Sequence, residues 1–249
     1  MGLIPVAAVL LTLAVMLGLG LKGQYAFNPP YLLVILTFVF YLLVTPIISL
    51  ISARGYLATG SLTLLFVSLA FFVGVPFSVA TAIAVSSPSL TVTFGALGLL
   101  ISSTFQILGA AQASFGSVPV GSERRNLRLT AAYSATLALS ILIVLLGSLS
   151  VFPAFFVQNV GATLIDEFVY VLIILFFVTG GLLYLRLYVK SKSETLFIYS
   201  LALLLYSMGS FGLTQQVVFG DAIVWIGRLS TYFRLLYFLY ALLGNRQKK

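Results

Sequence analysis

Long apolar runs separated by short polar stretches cover the whole of this chain. Eight such runs lie near 3–21, 30–52, 60–84, 91–112, 130–151, 167–189, 195–214 and 222–244. A helix of about 20 apolar residues spans the hydrocarbon core of a bilayer, whereas the strands of a membrane barrel are about ten residues long and alternate. The pattern therefore predicts an all-α integral membrane protein with eight transmembrane helices.

The composition supports this class. Hydrophobic residues make up 61% of the 249 residues and charged residues only 7%, and the mean hydropathy is +1.18. A soluble domain has roughly a quarter of its residues charged. So little charge cannot cover a surface that faces water.

The few charges follow a one-sided pattern. Alternate loops and the C-terminus hold ten of the thirteen basic residues, namely Arg54, Arg124, Arg125, Arg128, Arg186, Lys190, Lys192, Arg246, Lys248 and Lys249. The other loops hold Lys22 together with Asp166, Glu167 and Asp221. The positive-inside rule places the basic loops, and with them both termini, on the cytoplasmic side of the cell membrane. The net charge of +8 is thus attributed to topology and to anionic lipids at that face, and no nucleic-acid partner is expected.

The two halves of the chain resemble each other. "YLLVILTFVF" from Tyr31 matches "YVLIILFFVT" from Tyr170, and at the same offset "SLTLLFVS" from Ser61 matches "SLALLLYS" from Ser200. Halves of four spans each keep one orientation, which predicts parallel repeats about an axis along the membrane normal. We expect a first four-helix repeat at 1–113, a cytoplasmic linker at 114–129 and a second repeat at 130–249.

Local sequence adds two expectations about helix shape. Pro46 and Pro76 lie inside the second and third spans, and a proline frees a backbone carbonyl one turn earlier, so the first half is predicted to contain broken helices. Small residues cluster in "GALG" at 95–98 and "SMGSFG" at 207–212. Such clusters allow helix backbones to approach closely.

The residue types that carry most catalysis are missing from membrane depth. The chain has no cysteine and no histidine, which excludes thiolate and imidazole chemistry and removes the commonest metal and haem ligands. The five acids are assigned to loops or helix ends. The sequence therefore predicts a non-enzymatic protein with no catalytic, metal or cofactor site.

Two arginines in the last span are the strongest positive signal. Arg228 lies near the predicted outer end, where its side chain can reach water, but Arg234 lies near the middle with no acid at its depth. An arginine at a helix centre costs about 2.5–3.5 kcal/mol, so Arg234 is expected to face the bundle. A further match, of "LGLLISSTFQIL" from Leu97 with "IGRLSTYFRLL" from Ile226 with one residue skipped, places Gln106 at the equivalent position. Candidate partners of the guanidinium are freed backbone carbonyls, aromatic faces by cation–π contact, and the side chains of Tyr206, Ser207, Ser210, Tyr232 and Tyr237. We predict a ligand site at mid-membrane that contains Arg234, Gln106, Arg228 and Tyr232; a clasp between helices and an interface with another subunit are the alternatives.

Three functions fit this pattern. The first is a carrier or channel for a polar or anionic solute that uses the Arg/Gln centre. The second is an accessory subunit of a larger membrane complex. The third is a membrane-embedded ligand sensor that passes a signal to a separate cytoplasmic effector through Arg124, Arg125 and Arg128.

The terminal segment "FGDAIVWIGRLSTYFRLLYFLYALL" at 219–243 resembles the last helix of multi-span sensor modules that precede PAS or histidine-kinase domains in prokaryotes. Gly220-Asp221, Trp225, Gly227-Arg228 and the leucine-rich tail carry the resemblance, which covers about a tenth of the chain. It implies a prokaryotic protein that senses a ligand and signals to a cytoplasmic domain.

Overall fold

The computed structural model describes residues 32–116, 119–217 and 222–244, together with Ala7 and Leu11. The span predicted at 3–21 therefore lies outside the described residues apart from those two. The described part of the chain contains seven long helices: α1 (Leu32–Thr59), α2 (Leu62–Ser86), α3 (Pro88–Phe115), α4 (Ser122–Ser148), α5 (Leu164–Ser191), α6 (Glu194–Thr214) and α7 (Ala222–Gly244). A short antiparallel hairpin of β1 (Phe156–Val157) and β2 (Gly161–Ala162) lies between α4 and α5.

Helices α1 to α6 are long and apolar enough to cross a membrane, which gives the chain the character of a polytopic membrane protein. The longest have 28 residues. That length corresponds to about 42 Å, which exceeds the thickness of a bilayer's hydrocarbon core, about 30 Å. Helix α7 has 23 residues but is not among the six, because Arg228, Arg234 and the neighbouring Ser230 and Thr231 lower its hydropathy.

Six of the seven described helices form a closed ring. The contacts run from α1 to α2, α3, α5, α6 and α7 and then back to α1. Helix α4 packs outside the ring against α1, α2 and α3, and it buries only Thr136, Ser140 and Gly147. The helices α1, α3, α5 and α7 all begin at one end of the ring, called the upper end here; the opposite end is the lower end.

The first half of the ring contains broken helices, as the prolines predict. Residues Phe38–Val44 form a π-helical segment just before Pro46, and the Thr45 hydroxyl donates to the Phe40 carbonyl at 3.0 Å. Helix α2 is interrupted at Val73, with Pro76 in the first turn of its second segment. Breaks of this kind leave backbone groups free of regular α-helical bonding, and both of them border the interior of the ring.

Helices occupy both ends of the segment 114–129, which the sequence analysis treats as a linker. Helix α3 continues to Phe115 and α4 begins at Ser122, so the polar sequence from Ser122 onward forms the first two turns of α4. Glu123 lies in the first of these turns, where a negative charge is favourable at a helix N-terminus. Hydropathy does not detect a helix that extends beyond the lipid on polar residues.

The start of α4 is tied to the end of α1 by Arg125. Its Nε donates to the Val120 carbonyl, and its Nη1 donates to the carbonyls of Leu57 and Ala58, each at 2.8 Å. The last carbonyls of a helix need partners of this kind. The three arginines proposed to contact an effector are therefore not alike, because Arg124 and Arg128 are exposed while the Arg125 guanidinium is engaged within the fold.

Replacing Arg125 by alanine is expected to destabilise the protein, because three carbonyls lose a charged donor at once. With about 1–3 kcal/mol lost, the melting temperature in detergent is expected to fall by roughly 3–10 °C. Arg124→Ala is the matched control, since its side chain is exposed one residue away, and its melting temperature is expected to stay unchanged. Equal effects of the two substitutions would contradict the proposed tie.

Close packing of α6 on α7 depends on Gly209 and Gly227. A Cβ atom added at Gly227 would lie 2.7 Å from the Gly209 carbonyl oxygen, and one added at Gly209 would lie 2.9 Å from that of Gly227. The small-residue packing predicted at 207–212 is confirmed. In the other cluster Gly98 packs against Phe77, whereas a Cβ atom at Gly95 would meet no described atom within 4 Å.

Candidate functional site

The ring of helices encloses a cavity of about 140 Å³. Residues of all six ring helices line it. It runs from Leu33, Val92 and Gln216 near the upper end to Ser102 and Arg234, which lie near the midpoints of α3 and α7. A space of this size holds several water molecules or a small organic molecule.

Arg234 lies at the deep end of this cavity. Its side chain is only 3% exposed, so the prediction that it faces the bundle is confirmed. Its Nε donates to the Thr231 carbonyl at 3.2 Å, and its Cζ lies 2.8 Å from the centroid of the Tyr206 ring. Its Nη1 is buried and has no hydrogen-bond partner among the described residues. A charged donor is therefore available inside the ring.

Arg228 and Tyr232 line the cavity nearer its upper end. The Arg228 Cζ lies 5.1 Å from the centroid of the Trp225 ring, and six residues of helix separate Arg228 from Arg234 by about 9 Å along the axis. The Tyr232 ring is stacked on Phe40 at a centroid distance of 4.7 Å. Three of the four residues predicted from the sequence are thus brought together in one cavity.

Gln106 does not line the cavity. It lies one turn below Ser102 on α3, is completely buried, and its Oε1 accepts a hydrogen bond from the Tyr199 hydroxyl at 2.6 Å. Four residues advance a helix by about 6 Å, which moves Gln106 below the cavity floor. The sequence comparison placed Gln106 at the depth of Arg234, but Gln106 lies one helical turn below that depth. Ser102, one turn above Gln106, lines the cavity instead.

The Gln106–Tyr199 pair is expected to affect stability rather than ligand binding. Gln106→Leu or Tyr199→Phe alone is expected to lower the free energy of unfolding by about 1–3 kcal/mol, because in each case a buried group loses its partner. The double variant is expected to be less destabilised than the sum of the two singles. A double-mutant cycle on melting temperature measures this coupling, and additive losses would contradict it.

The remaining polar groups of the cavity are largely satisfied by the backbone. Six hydroxyl groups on its wall donate to carbonyl oxygens at 2.7–3.0 Å, namely those of Thr45, Ser78, Thr81, Thr91, Ser102 and Thr231. No acidic residue occurs among the described residues that line the space. The other donors on the described wall belong to arginine and tyrosine side chains and to Thr37 and Gln216. Cationic donors without a described acid beside them favour an anion.

Tyr206, one of the candidate partners of Arg234 named from the sequence, lies in the site, but Tyr41 and Tyr170, which also line the cavity, were not expected there. One signal was present, because Thr37, Tyr41 and Thr45 recur every four residues and so share one face of α1. The Tyr41 hydroxyl lies 3.5 Å from the Thr231 Oγ1. This contact joins α1 to the arginine-bearing helix.

A carboxylate that sequence reasoning assigned to a helix end is buried close to Tyr170, although it is not among the described residues that line the cavity. Asp166 lies in the first turn of α5 and is 1% exposed. Its Oδ1 has no hydrogen-bond partner among residues 32–116, 119–217 and 222–244. Tyr170, which lines the cavity, interacts electrostatically with both Asp166 and Arg228.

The hairpin covers part of the upper rim. Phe156 of β1 is buried against Leu33 and Val92, and both of those residues line the cavity. No strand was expected here, because two-residue strands produce no periodicity. The turn signals were Asn159 and Gly161, which have φ angles of 66° and 107°.

Comparisons with protein-family models, with curated proteins and with solved structures find no significant match to this chain. The geometry of the site is therefore the basis for inferring its function.

Proposed function

We propose that this protein is a carrier or channel that binds a small anion in the central cavity of its helix ring. The observation that carries the proposal is Arg234, a buried residue that lines the cavity and whose Nη1 has no hydrogen-bond partner among the described residues. A charge removed from water and left unpaired is strongly unfavourable. An anionic ligand supplies the missing acceptor, and the cation–π contact with Tyr206 holds the guanidinium in place when the ligand is absent.

The boundaries of the helices support the parallel repeat, in a register different from the one expected. Helices α1 and α5 begin at Leu32 and Leu164, and α2 and α6 begin at Leu62 and Glu194, so each pair starts 132 positions apart. Both α1 and α5 have 28 residues, and each is followed by a C-cap residue in the left-handed conformation, Gly60 and Lys192 respectively. At this spacing "TLLFVSLA" from Thr63 matches "TLFIYSLA" from Thr195.

Contacts between helices recur at the same spacing. Ser49 on α1 donates to the Ser68 carbonyl on α2 at 2.9 Å, and Ser200 on α6 donates to the Gly181 carbonyl on α5 at 2.8 Å. The positions are equivalent, since Gly181 follows Ser49 and Ser200 follows Ser68 by the same number of residues.

The ring order agrees with a twofold relation between the halves. The neighbours α1–α2–α3 correspond to α5–α6–α7, and the junction of α3 with α5 corresponds to that of α7 with α1. Ser102 is then the counterpart of Arg234, and both line the cavity. Transporters built from repeats bind their substrates near the bilayer midplane at the interface of the repeats, which is where this cavity would lie.

The charges support an orientation with the lower end in the cytoplasm. Exposed Arg54, Arg124, Arg128 and Lys190 are located at the lower ends of their helices, and the positive-inside rule assigns such residues to the cytoplasmic side. The cavity would then extend from the outer surface to mid-membrane.

The proposal is tested by anion permeation into proteoliposomes. Vesicles are placed in potassium salts of different anions and given valinomycin, so that K⁺ enters only as fast as the anion follows it, and the resulting swelling is recorded by light scattering. We expect protein-dependent swelling that Arg234→Leu abolishes and that Phe233→Leu, on the exposed outer face of α7, leaves unchanged. Anion binding without permeation would contradict transport and would favour a ligand sensor or an accessory subunit.

A further inference from the structure

The central cavity has two unlike walls. Helices α1, α5, α6 and α7 contribute the guanidinium and tyrosine groups, whereas α2 and α3 contribute Phe71, Phe77, Val92 and Leu99. The second wall also contains Ser78, Thr81, Thr91 and Ser102, but the hydroxyl hydrogens of these residues go to backbone carbonyls. This side of the cavity is therefore largely apolar toward a ligand.

A hydrated inorganic ion gains little from such a wall, because its water shell must be replaced and the wall offers few donors. An apolar group gains free energy when it leaves water for the same surface. The apolar wall consequently favours a ligand with an organic body as well as a charge.

The charged end of that ligand meets a single planar guanidinium. Tyr206 covers one face of the Arg234 guanidinium and Nε donates to the Thr231 carbonyl, so Nη1, which has no hydrogen-bond partner in the described part of the chain, remains for a ligand. A guanidinium edge matches a planar carboxylate. A divalent phosphate would bring two negative charges to one cation at this depth, because Arg228 lies about 9 Å further along α7.

From these two walls we infer that the ligand is an organic carboxylate with an apolar body, bound with its carboxylate on Arg234 and its body against α2 and α3. This inference rests on the proposed function and adds the class of the substrate. Gly95 provides room for the apolar body, because it lines the cavity and a Cβ atom there would meet no described atom within 4 Å.

The test is isothermal titration of the full-length chain in lipid nanodiscs with acetate, butyrate, hexanoate, chloride and inorganic phosphate. Affinity is expected to rise about fourfold for each methylene added from acetate to hexanoate. Titration with hexanol, which has the same chain length as hexanoate but no charge, measures how much of the heat comes from partition of the apolar chain into the lipid. Arg234→Leu is expected to weaken hexanoate binding by about 30-fold. Gly95→Leu, which places a side chain where the body would lie, is expected to reduce the affinity ratio of hexanoate to acetate by about tenfold.

The results separate the two levels of inference. If chloride or phosphate binds as tightly as hexanoate and chain length has no effect, while Arg234→Leu still abolishes binding, the carboxylate class is overturned and anion binding stands. If every anion binds the Arg234→Leu variant as well as it binds the natural protein, both the ligand class and the proposed function are overturned. If Phe233→Leu weakened hexanoate binding as much as Arg234→Leu does, both inferences would also be overturned, because the Phe233 side chain lies outside the cavity.

Discussion

Arg234→Leu is expected to raise the melting temperature of the ligand-free protein while it abolishes the response to anions. The natural side chain keeps a charge out of water with a buried Nη1 that has no described partner. A charge at this depth costs about 2.5–3.5 kcal/mol, and a desolvated cation–π contact returns only about 2 kcal/mol. The free energy of unfolding of the variant is therefore expected to be about 1 kcal/mol higher, which corresponds to a melting temperature roughly 2–4 °C higher.

A bound anion is expected to reverse the order of the two melting temperatures, so that the natural protein melts above the Arg234→Leu variant. A saturating anion stabilises the natural protein in proportion to its occupancy, by about 2.7 kcal/mol at one hundred times the dissociation constant, and leaves the variant unchanged. Arg234→Lys serves as the control because it retains the charge without the planar fork, and an intermediate response is expected. A large loss of stability in ligand-free Arg234→Leu would indicate that the arginine is a structural clasp.

Gly227→Ala is expected to destabilise the protein more than any other single added methyl group in α7. The new Cβ atom would lie 2.7 Å from the backbone oxygen of Gly209, and backbone cannot yield as a flexible side chain does. Overpacking of this kind costs about 1–3 kcal/mol, which corresponds to a fall of roughly 3–10 °C in melting temperature. Because α7 must move away from α6, anion affinity is expected to fall with it.

Gly95→Ala is the matched control. In the proposed repeat Gly95 is the counterpart of Gly227, yet a Cβ atom at Gly95 meets no described atom within 4 Å. Alanine also lowers the conformational entropy of the unfolded chain and favours helix. Melting in detergent is therefore expected to be unchanged or slightly higher for Gly95→Ala, and equal losses at the two glycines would refute the close contact.

Arg234 shows what the sequence could predict. The free-energy cost of a charge in hydrocarbon requires it to face other helices, and that requirement holds whatever the details of packing. The apolar runs likewise predicted the positions of α1 to α6, because their lengths follow from the thickness of a bilayer. Pro46 and Pro76 predicted the broken helices from the loss of a backbone donor.

Gln106 shows where prediction from the sequence stopped. Its equivalence to Arg234 came from matching strings of Leu, Val, Ile and Phe, and such strings align in several registers. The register that we propose depends on helix ends and on the left-handed caps at Gly60 and Lys192, which hydropathy does not reveal. Asp166 and the hairpin were missed for a related reason, because burial at a helix end depends on which loops cover it.

Charge-selective labelling of the cavity tests the central claim most directly. The chain has no cysteine, so Gly95→Cys introduces one thiol into the cavity, and Phe233→Cys places one on the exposed face of α7. Negatively and positively charged methanethiosulfonate reagents are compared, each rate being divided by that reagent's rate with a free thiol. We expect the negative reagent to react roughly tenfold faster at position 95, with most of this preference lost when Arg234→Leu is added and no preference at position 233. Equal rates at position 95, or a faster reaction with the positive reagent, would contradict an anion-binding cavity formed around Arg234.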